Sequence, residues 1–432
     1  MLIALSLGLI CSIALITRAK NLLFFSNLSV FLGIWSILMT LYSLNLSVFP
    51  KLSGSLTLYI LTFHFLYIFI YFLTASGFPT SRGANTAPAY YDQTNPQLKR
   101  HLSFASQLSF ALWAFFFVKF LASLQSVGGA AVFLTGGGAR KMLSETEGVS
   151  LTFYVFAYLF LVTAMLLVPH LTRYRKVAVY AGILFVLGSL LLTAAKVNVV
   201  SGAFLIYAIW FNRKKIGFAN FCRQFGALVI LGYAFIFLFS AFTGKVVDKS
   251  VGSIDNISDV LRYGKSAFLY PYDYLVGSLA ALDYRFASIH SSDYSNLVGG
   301  HSFYSVYRIA SAFGLISDTA DLPDQFYGFV WFGGVNTNIY TFLYDLMLDF
   351  GEIGALLFAP LLAMLHASLD MRETIGRNIA LIMLSNISKL SAFLSFVNFR
   401  YGDTVFVFSL FVWLLYLGGA VLSKRAERGG YR

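Results

Sequence analysis

The chain has 432 residues, of which 58% are hydrophobic and only 12% are charged, and its mean hydropathy is +0.74. These values lie far outside the usage of soluble globular proteins and predict a polytopic membrane protein. The formal net charge of +12 does not indicate nucleic-acid binding, because the basic residues are distributed over many connecting segments.

Apolar runs along the chain give eleven candidate membrane spans. They cover residues 1–17, 22–47, 53–75, 104–124, 150–169, 177–195, 197–212, 224–243, 340–364, 378–398 and 404–422. The first run is interpreted as a helix and not as a signal peptide, because it lacks a basic leading region and a convincing cleavage site. The sequence therefore predicts an all-α fold, in which residues 1–432 form a single membrane domain of about eleven transmembrane helices.

The connecting segments alternate in basic content, which is the positive-inside pattern. One set contains Arg18, Lys20, Arg82, Lys99, Arg100, Arg173, Arg175, Lys176, Arg213, Lys214, Lys215, Arg372, Arg377, Lys424, Arg425, Arg428 and Arg432. This set is assigned to the cytoplasm together with the C-terminus, and the N-terminus is assigned to the outside. The long loop 244–341 has six Lys or Arg against nine Asp, so we expect a large helical loop on the periplasmic or exterior face.

Several classes of function are disfavoured because their motifs are missing. The chain has no Walker motif, dinucleotide fingerprint, HExxH or paired CxxC, which argues against a nucleotide-driven pump. Its halves show no self-similarity of the kind found in secondary transporters. Cys11 and Cys222 lie in or beside apolar segments, so neither a disulfide scaffold nor a metal cluster is predicted. The loop carboxylates do not cluster at recognisable ligand spacing, and no metal or cofactor is predicted.

The long loop combines basic and aromatic side chains. The basic ones are Arg262, Lys265, Arg285, His301 and Arg308, and the aromatic ones include Tyr304, Tyr307 and Trp331. Guanidinium groups bind phosphate oxygens and aromatic faces stack on sugar rings, so the combination indicates a phosphate-linked glycan. The alternatives are an interfacial aromatic belt and ordinary ion pairs with the neighbouring Asp residues. His301 follows a glycine pair and is interpreted either as a base or as a surface residue.

A second polar group begins at Asn338, Tyr340 and Thr341, just before the ninth predicted span. That span carries Asp345, Asp349 and Glu352 at i, i+4 and i+7. This spacing predicts that the three carboxylates share one helical face, which should point into the bundle or an aqueous cleft. Of these, Asp349 is expected to be structurally or chemically necessary.

Three lysines, Lys119, Lys196 and Lys389, are the apparent intramembrane or near-membrane cations available to that face. An alternative interpretation places Asp345 in the headgroup region and pairs Glu352 with Lys389 as a structural ion pair. A raised pKa of Asp349 would favour acid–base chemistry over such pairing.

Five stretches carry a family resemblance. They are Tyr274-Leu275-Val276-Gly277-Ser278-Leu279, Gly300-His301-Ser302-Phe303, Tyr307-Arg308-Ile309, Asn336-Thr337-Asn338-Ile339-Tyr340-Thr341-Phe342 and Asp349-Phe350-Gly351-Glu352-Ile353-Gly354. With the hydropathy and layout of most of the chain, they resemble the Wzy-type oligosaccharide repeat-unit polymerases of bacterial O-antigen and capsule assembly. The last two stretches are the most specific. Lys196 stands where family members often carry Arg.

The resemblance implies an inner-membrane glycosyltransferase without a cofactor. It would transfer a growing glycan from undecaprenyl pyrophosphate to the incoming undecaprenyl-pyrophosphate-linked unit at the periplasmic face. Membrane lipid and a chain-length regulator protein of the same pathway are its implied partners, and nucleic acid is not. A lipid-linked oligosaccharide transporter or flippase and an O-antigen ligase remain alternatives.

The implied roles divide the polar residues into three groups. The catalytic group is His301, Asp349 and Arg308. The pyrophosphate-binding group is Lys196, Arg262, Arg285 and Arg308. The glycan-binding group is Tyr304, Tyr307, Trp331, Asn338 and Tyr340.

Overall fold

The computed structural model describes residues 2–20, 22–23, 25–78, 96–126, 147–191, 196–212, 223–224, 226–227, 230–235, 237–238, 257–286, 299–312, 315, 330–332, 335–337, 340–375, 378–396 and 411–412. Eight helices in these ranges are long and apolar enough to cross a membrane, as expected for a polytopic membrane protein. The count of eleven is not confirmed. The predicted span 404–422 lies largely outside the described residues, the span 224–243 is described only in part, and Asn198–Asn212 is a shorter apolar helix.

The described elements are mainly helices. They are α1 (Leu2–Lys20), α2 (Asn27–Leu44), α3 (Gly54–Ser76), α4 (Pro96–Ser126), α5 (Glu147–Leu167), α6 (Arg173–Leu191), α7 (Lys196–Asn212), α8 (Ile257–Phe286), α9 (Tyr304–Ala312), α10 (Phe342–Ile375) and α11 (Ile379–Phe393). Short 3-10 turns follow α5 at Val168–His170 and α11 at Leu394–Phe396. Strands β1 (Val330–Phe332) and β2 (Val335–Thr337) form an antiparallel hairpin, which the sequence did not predict because each strand has only three residues.

The chain divides into two compact units by its internal packing, and the expectation of a single membrane domain stays a prediction. Unit 1 comprises Met1–Pro88 and Tyr272–Leu410, and unit 2 comprises Ala89–Pro271 and Phe411–Arg432. The boundary in α8 falls at Pro271, where the helix contains a residue that cannot donate a backbone hydrogen bond.

Unit 1 is built around α10, which packs along α3 and also contacts α2 and α11. The first residue of α10, Phe342, is anchored in an aromatic core. Its ring centroid lies 5.9 Å from that of Phe31, 6.2 Å from that of Trp35 and 5.8 Å from that of Phe63. Edge-to-face contacts of this kind add specificity to apolar packing, so they fix where α10 begins relative to α2 and α3.

Helix α1 completes unit 1 on the outside of α2. Most of its surface is exposed and apolar, but Ser6 is buried and donates a hydrogen bond of 2.9 Å to the carbonyl oxygen of Ser36. Ser6 also shares a hydroxyl–hydroxyl bond of 2.8 Å with Thr40. Small hydroxyl residues are typical of helix contacts in membranes, where apolar burial does not distinguish neighbouring helices from lipid.

Unit 2 is centred on α5, which is buried along most of its length and contacts α4, α6 and α7. The ring of Trp113 stacks on that of Phe117 at 5.1 Å, and Phe120 stacks on Phe153 at 5.8 Å. Gly202 allows α7 to pack closely against α6, because an added Cβ at Gly202 would lie 2.8 Å from the side chain of Leu187.

One end of unit 1, called the Asp370 end, is held by a buried carboxylate of α10. Asp370 Oδ1 accepts hydrogen bonds of 2.7 Å from the backbone and the side-chain N–H groups of Asn27. Its other oxygen accepts bonds from the backbone N–H of Leu28 at 3.2 Å and the hydroxyl of Tyr71 at 2.7 Å. Asp370 therefore caps the N-terminus of α2, where backbone N–H groups have no partner within the helix and the helix dipole favours negative charge.

A buried ion pair lies beside this cap. Lys389 donates to both oxygens of Glu373, at 2.7 and 2.6 Å, and both side chains are almost completely inaccessible. Ser385 donates to the same carboxylate at 2.6 Å and accepts a bond of 3.3 Å from Asn27. Lys389 thus pairs with Glu373 and not with Glu352, so the alternative pairing considered from the sequence is wrong.

Candidate functional site

The site begins at a bend in α10. Gly351 has φ 69° and ψ 175°, which interrupts the helical backbone and favours glycine. Asp345 and Asp349 precede the bend and Glu352 follows it, so the three carboxylates do not share one helical face as the spacing predicted. Asp345 is buried, Asp349 is half-buried and Glu352 is exposed.

The turn that carries His301 is bonded to α10 through Asp349. One oxygen of this carboxylate accepts the backbone N–H of His301 at 2.9 Å, and the other accepts that of Ser302 at 2.6 Å. The turn is closed by a hydrogen bond of 2.9 Å from the N–H of Phe303 to the carbonyl of Gly299. His301 and Asp349, which are 48 positions apart in the chain, are therefore neighbours. Their predicted catalytic roles stay predictions.

Aromatic contacts place this turn across the bend. An added Cβ at Gly299, which has φ +75°, would lie 2.6 Å from the ring of Phe303 and 3.6 Å from that of Phe350. The ring of Phe358 lies 5.9 Å from that of Phe350 and 6.2 Å from that of Phe303. The turn thus contacts α10 both before and after Gly351.

His301 is buried, with 8% of its surface accessible, so it is not the surface residue that one interpretation of the sequence allowed. Burial lowers the pKa of His301 below its ordinary value of 6.5, and the nearby charge of Asp349 opposes that shift. The imidazole is therefore neutral near pH 7, and a neutral imidazole can accept a proton.

Arg285, at the end of α8, is held by an aromatic pair at the start of α10. Its guanidinium is hydrogen-bonded to the side chain of Tyr340, and this bond raises the pKa of Arg285. The ring of Tyr340 stacks on that of Tyr344 at 4.7 Å. Tyr340 is completely buried, so its ring is not accessible to a glycan. Its contact with Arg285 holds the guanidinium in place.

Tyr59 of α3 contacts both the bend of α10 and the end of α8 that carries Arg285. Its hydroxyl donates a hydrogen bond of 2.9 Å to the carbonyl of Glu352, directly after the bend. Its ring lies 5.4 Å from that of Phe286, the residue after Arg285. Tyr340 lies two residues before α10, and from Phe342 to Asp349 the helix rises by about 10 Å at 1.5 Å per residue. The cation and the imidazole turn therefore belong to one end of unit 1, called the His301 end.

The last part of α8 is also hydrogen-bonded to the end of α2 and to the loop between α2 and α3. Tyr272 donates to the carbonyl of Leu41 at 3.0 Å and accepts from the N–H of Leu46 at 3.2 Å. Asp283 accepts the N–H of Ser53 at 3.0 Å and also its hydroxyl. These bonds fix α8 relative to the two helices that α10 packs against.

Other aromatic residues predicted to bind glycan are partly accessible. Trp331 points outward from β1 with 66% of its surface exposed, whereas its neighbour Phe332 packs on Phe49 at 5.4 Å. Tyr304 and Tyr307, in α9, are half-buried. The hairpin approaches α8 closely, since an added Cβ at Gly277 would lie 3.2 Å from Thr337.

Some of the predicted residues lie outside the described part of the chain. The side chains of Lys196, Arg262 and Arg308 and all of Asn338 are among these. Lys119 is exposed on α4 and lies 4.8 Å from the centre of the Phe115 ring. Within the described residues, no group of three or more His, Cys, Asp or Glu could hold a metal ion.

No family model, curated protein or solved structure matches this chain. Sequence reasoning missed Tyr59, because an aromatic residue inside an apolar helix gives no sign of a polar partner. It also missed the bend, although a glycine between two carboxylate-bearing turns was a usable signal.

Proposed function

We propose that this chain is a membrane glycosyltransferase of the Wzy type, which polymerises lipid-linked oligosaccharide repeat units. The observation that carries the proposal is that one end of unit 1 holds both a buried imidazole turn, bonded beside the bend of α10, and a guanidinium bonded to Tyr340, just before the first residue of α10. His301 is bonded through its backbone to Asp349, and Tyr59 connects the helix end that bears Arg285 to the same bend.

The reaction requires a proton acceptor and a charge that stabilises the leaving group. The acceptor sugar hydroxyl loses its proton to the imidazole of His301 while its oxygen bonds to the anomeric carbon of the donor glycan. The bond from that carbon to the pyrophosphate oxygen breaks, and its electron pair leaves with undecaprenyl pyrophosphate. Arg285 stabilises the charge that develops on the pyrophosphate, and the imidazolium then releases its proton to solvent.

In this proposal the His301 end faces the periplasm and the Asp370 end faces the cytoplasm of the bacterial inner membrane. Arg18, Lys20 and Arg372 support this orientation, because they belong to helix ends on the Asp370 side of unit 1. The exposed aromatic rings of Trp331 and Tyr284 are suited to stacking on sugars of the repeat unit.

The test uses purified full-length protein with undecaprenyl-pyrophosphate-linked repeat units in detergent. We expect glycan chains to lengthen, and His301→Gln and Arg285→Ala to slow lengthening by about 100-fold each while the single-repeat glycolipid remains. Lys51→Ala is the matched control, because Lys51 is an exposed cation in the loop between α2 and α3.

Three outcomes separate the proposal from its alternatives. Lengthening without a sealed membrane excludes a purely transport role. Transfer to a lipid A core acceptor but not to a second repeat unit would identify a ligase. Normal polymer from both His301→Gln and Arg285→Ala would contradict the proposed site.

A further inference from the structure

The carboxylate of Asp349 is a group that could act as a catalytic base, but its contacts are those of a structural residue. Both of its oxygens are bonded to successive backbone N–H groups, those of His301 and Ser302, at 2.9 and 2.6 Å. We propose that Asp349 is a positioning residue, which holds the turn of residues 299–303 across the bend at Gly351 and thereby fixes His301 in place. The structural part of this role is independent of the proposed function, whereas its consequence for catalysis rests on it.

The turn needs a partner from outside its own segment. The bond from the Phe303 N–H to the carbonyl of Gly299 closes the turn, and the N–H groups of His301 and Ser302 lie inside it, ahead of the first residue of α9, Tyr304. Side chains of Ser, Thr, Asp or Asn often accept the backbone N–H groups of a turn from within the same segment. Here Gly299 and Gly300 precede His301 and have no side chain. The carboxylate of Asp349, from another helix, supplies the missing acceptor.

The position of the turn depends on both parts of α10. Phe350 lies before the bend and approaches Gly299, and Phe358 lies after it and contacts Phe303. Asp349 is directly beside Phe350, so its two bonds attach the turn to the part of α10 that begins at the aromatic core of unit 1. Loss of these bonds would remove the charge-assisted contacts that hold the backbone of His301 and Ser302 against α10.

Proton transfer to Asp349 would also undo its own contacts. A protonated carboxyl group loses its charge and turns one acceptor oxygen into a donor, so it could not keep two charge-assisted bonds to N–H groups. His301 has no such conflict, because its backbone N–H is bonded while its ring is separate from that bond. The acceptor hydroxyl proton therefore goes to His301 and not to Asp349.

Amide hydrogen exchange on full-length protein in nanodiscs tests the structural role. In Asp349→Ala, the amides of His301 and Ser302 should exchange about ten-fold faster or more, because both lose a charged acceptor. Asp349→Asn should have an intermediate effect, since its amide keeps one acceptor oxygen, and it serves in place of Asp349→Ala if that variant does not fold. Glu352→Gln, three residues further along and exposed, should change nothing. Unchanged exchange in both Asp349 variants would overturn the proposal.

Turnover of lipid-linked repeat units as a function of pH tests the catalytic consequence. His301→Gln should lose turnover but keep slow exchange of its backbone amide. Asp349→Asn should retain measurable turnover, and the acid limb of its profile should move to lower pH, because the carboxylate charge raises the pKa of His301.

Two further outcomes distinguish the two proposals. Complete loss of turnover in Asp349→Asn with unchanged amide exchange would identify Asp349 as the base and overturn the positioning role. Normal polymer from His301→Gln, combined with fast exchange in Asp349→Ala, would leave the positioning role in place and contradict the proposed function.

Discussion

The His301 end and the Asp370 end of unit 1 use the same bonding unit for different purposes. At each end an aspartate of α10 accepts two successive backbone N–H groups from a distant segment: His301 and Ser302 at one end, and Asn27 and Leu28 at the other. The surroundings differ. Asp370 is 2% exposed and receives two more bonds, whereas Asp349 is half-buried beside an ionisable ring.

This difference shows that a carboxylate in an apolar helix does not identify a reaction centre. The Asp370 end satisfies its charges with a helix terminus, hydroxyl groups and a buried lysine, as a structural tie does. The His301 end holds its aspartate by two bonds and places a neutral imidazole next to it. What distinguishes the two is the group that the aspartate positions, and not the aspartate itself.

The largest expected effect is loss of Lys389. Lys389→Ala leaves the carboxylate of Glu373 buried without its cation, so we expect the free energy of unfolding to fall by about 3–5 kcal/mol. Denaturant titration in detergent measures it. The double variant Lys389→Met, Glu373→Met should be much less destabilised, because no unpaired charge remains. Equal losses in the single and double variants would show that packing, and not charge, holds this end together.

The next effect compares the two aspartates directly. Asp370→Ala removes an acceptor of four hydrogen bonds in a buried site and should cost about 3 kcal/mol or more, whereas Asp349→Ala removes two in a half-buried site and should cost about half as much. The same titration ranks them. If Asp349→Ala were the more destabilising variant, the hydrogen bonds of Asp370 would not be the stronger contribution to the stability of unit 1.

A smaller effect is expected at the bend. Gly351→Ala places a side chain at φ 69°, which should cost about 1–2 kcal/mol. We expect the thermal midpoint to fall and the exchange of the His301 amide to rise. Gly33→Ala in α2 is the control, because an added Cβ there meets nothing within 4 Å and the change should be neutral or stabilising.

The smallest effect concerns pH. The pKa of His301 is lower in the folded protein than its ordinary value of 6.5, so the unfolded chain binds more protons in that interval. Stability should therefore decrease as pH falls below about 6.5, and His301→Gln should remove this component. Midpoints measured from pH 7 to 5 for both proteins provide the comparison. Identical pH dependence would mean that His301 is as accessible to protons as in the unfolded chain.

Composition and hydropathy predicted the helical membrane class, whereas the roles predicted for His301 and Asp349 stay predictions. The division into two units and the pairing of Lys389 with Glu373 could not be read from the sequence. Periodicity reports the faces of one helix at a time, and these features depend on which helices meet. The bend at Gly351 also defeated the expectation for Glu352, because a single positive φ redirects every residue after it.

The cap on α2 has a consequence for biosynthesis. Asn27 and Asp370 are separated by 343 residues, and all of the described part of unit 2 except residues 411–412 is translated between them. The amides at the beginning of α2 therefore leave the ribosome long before their carboxylate exists, and closing so long a loop is slow. The amino-terminal helices of unit 1 must persist in the bilayer as an unfinished assembly until α10 is inserted.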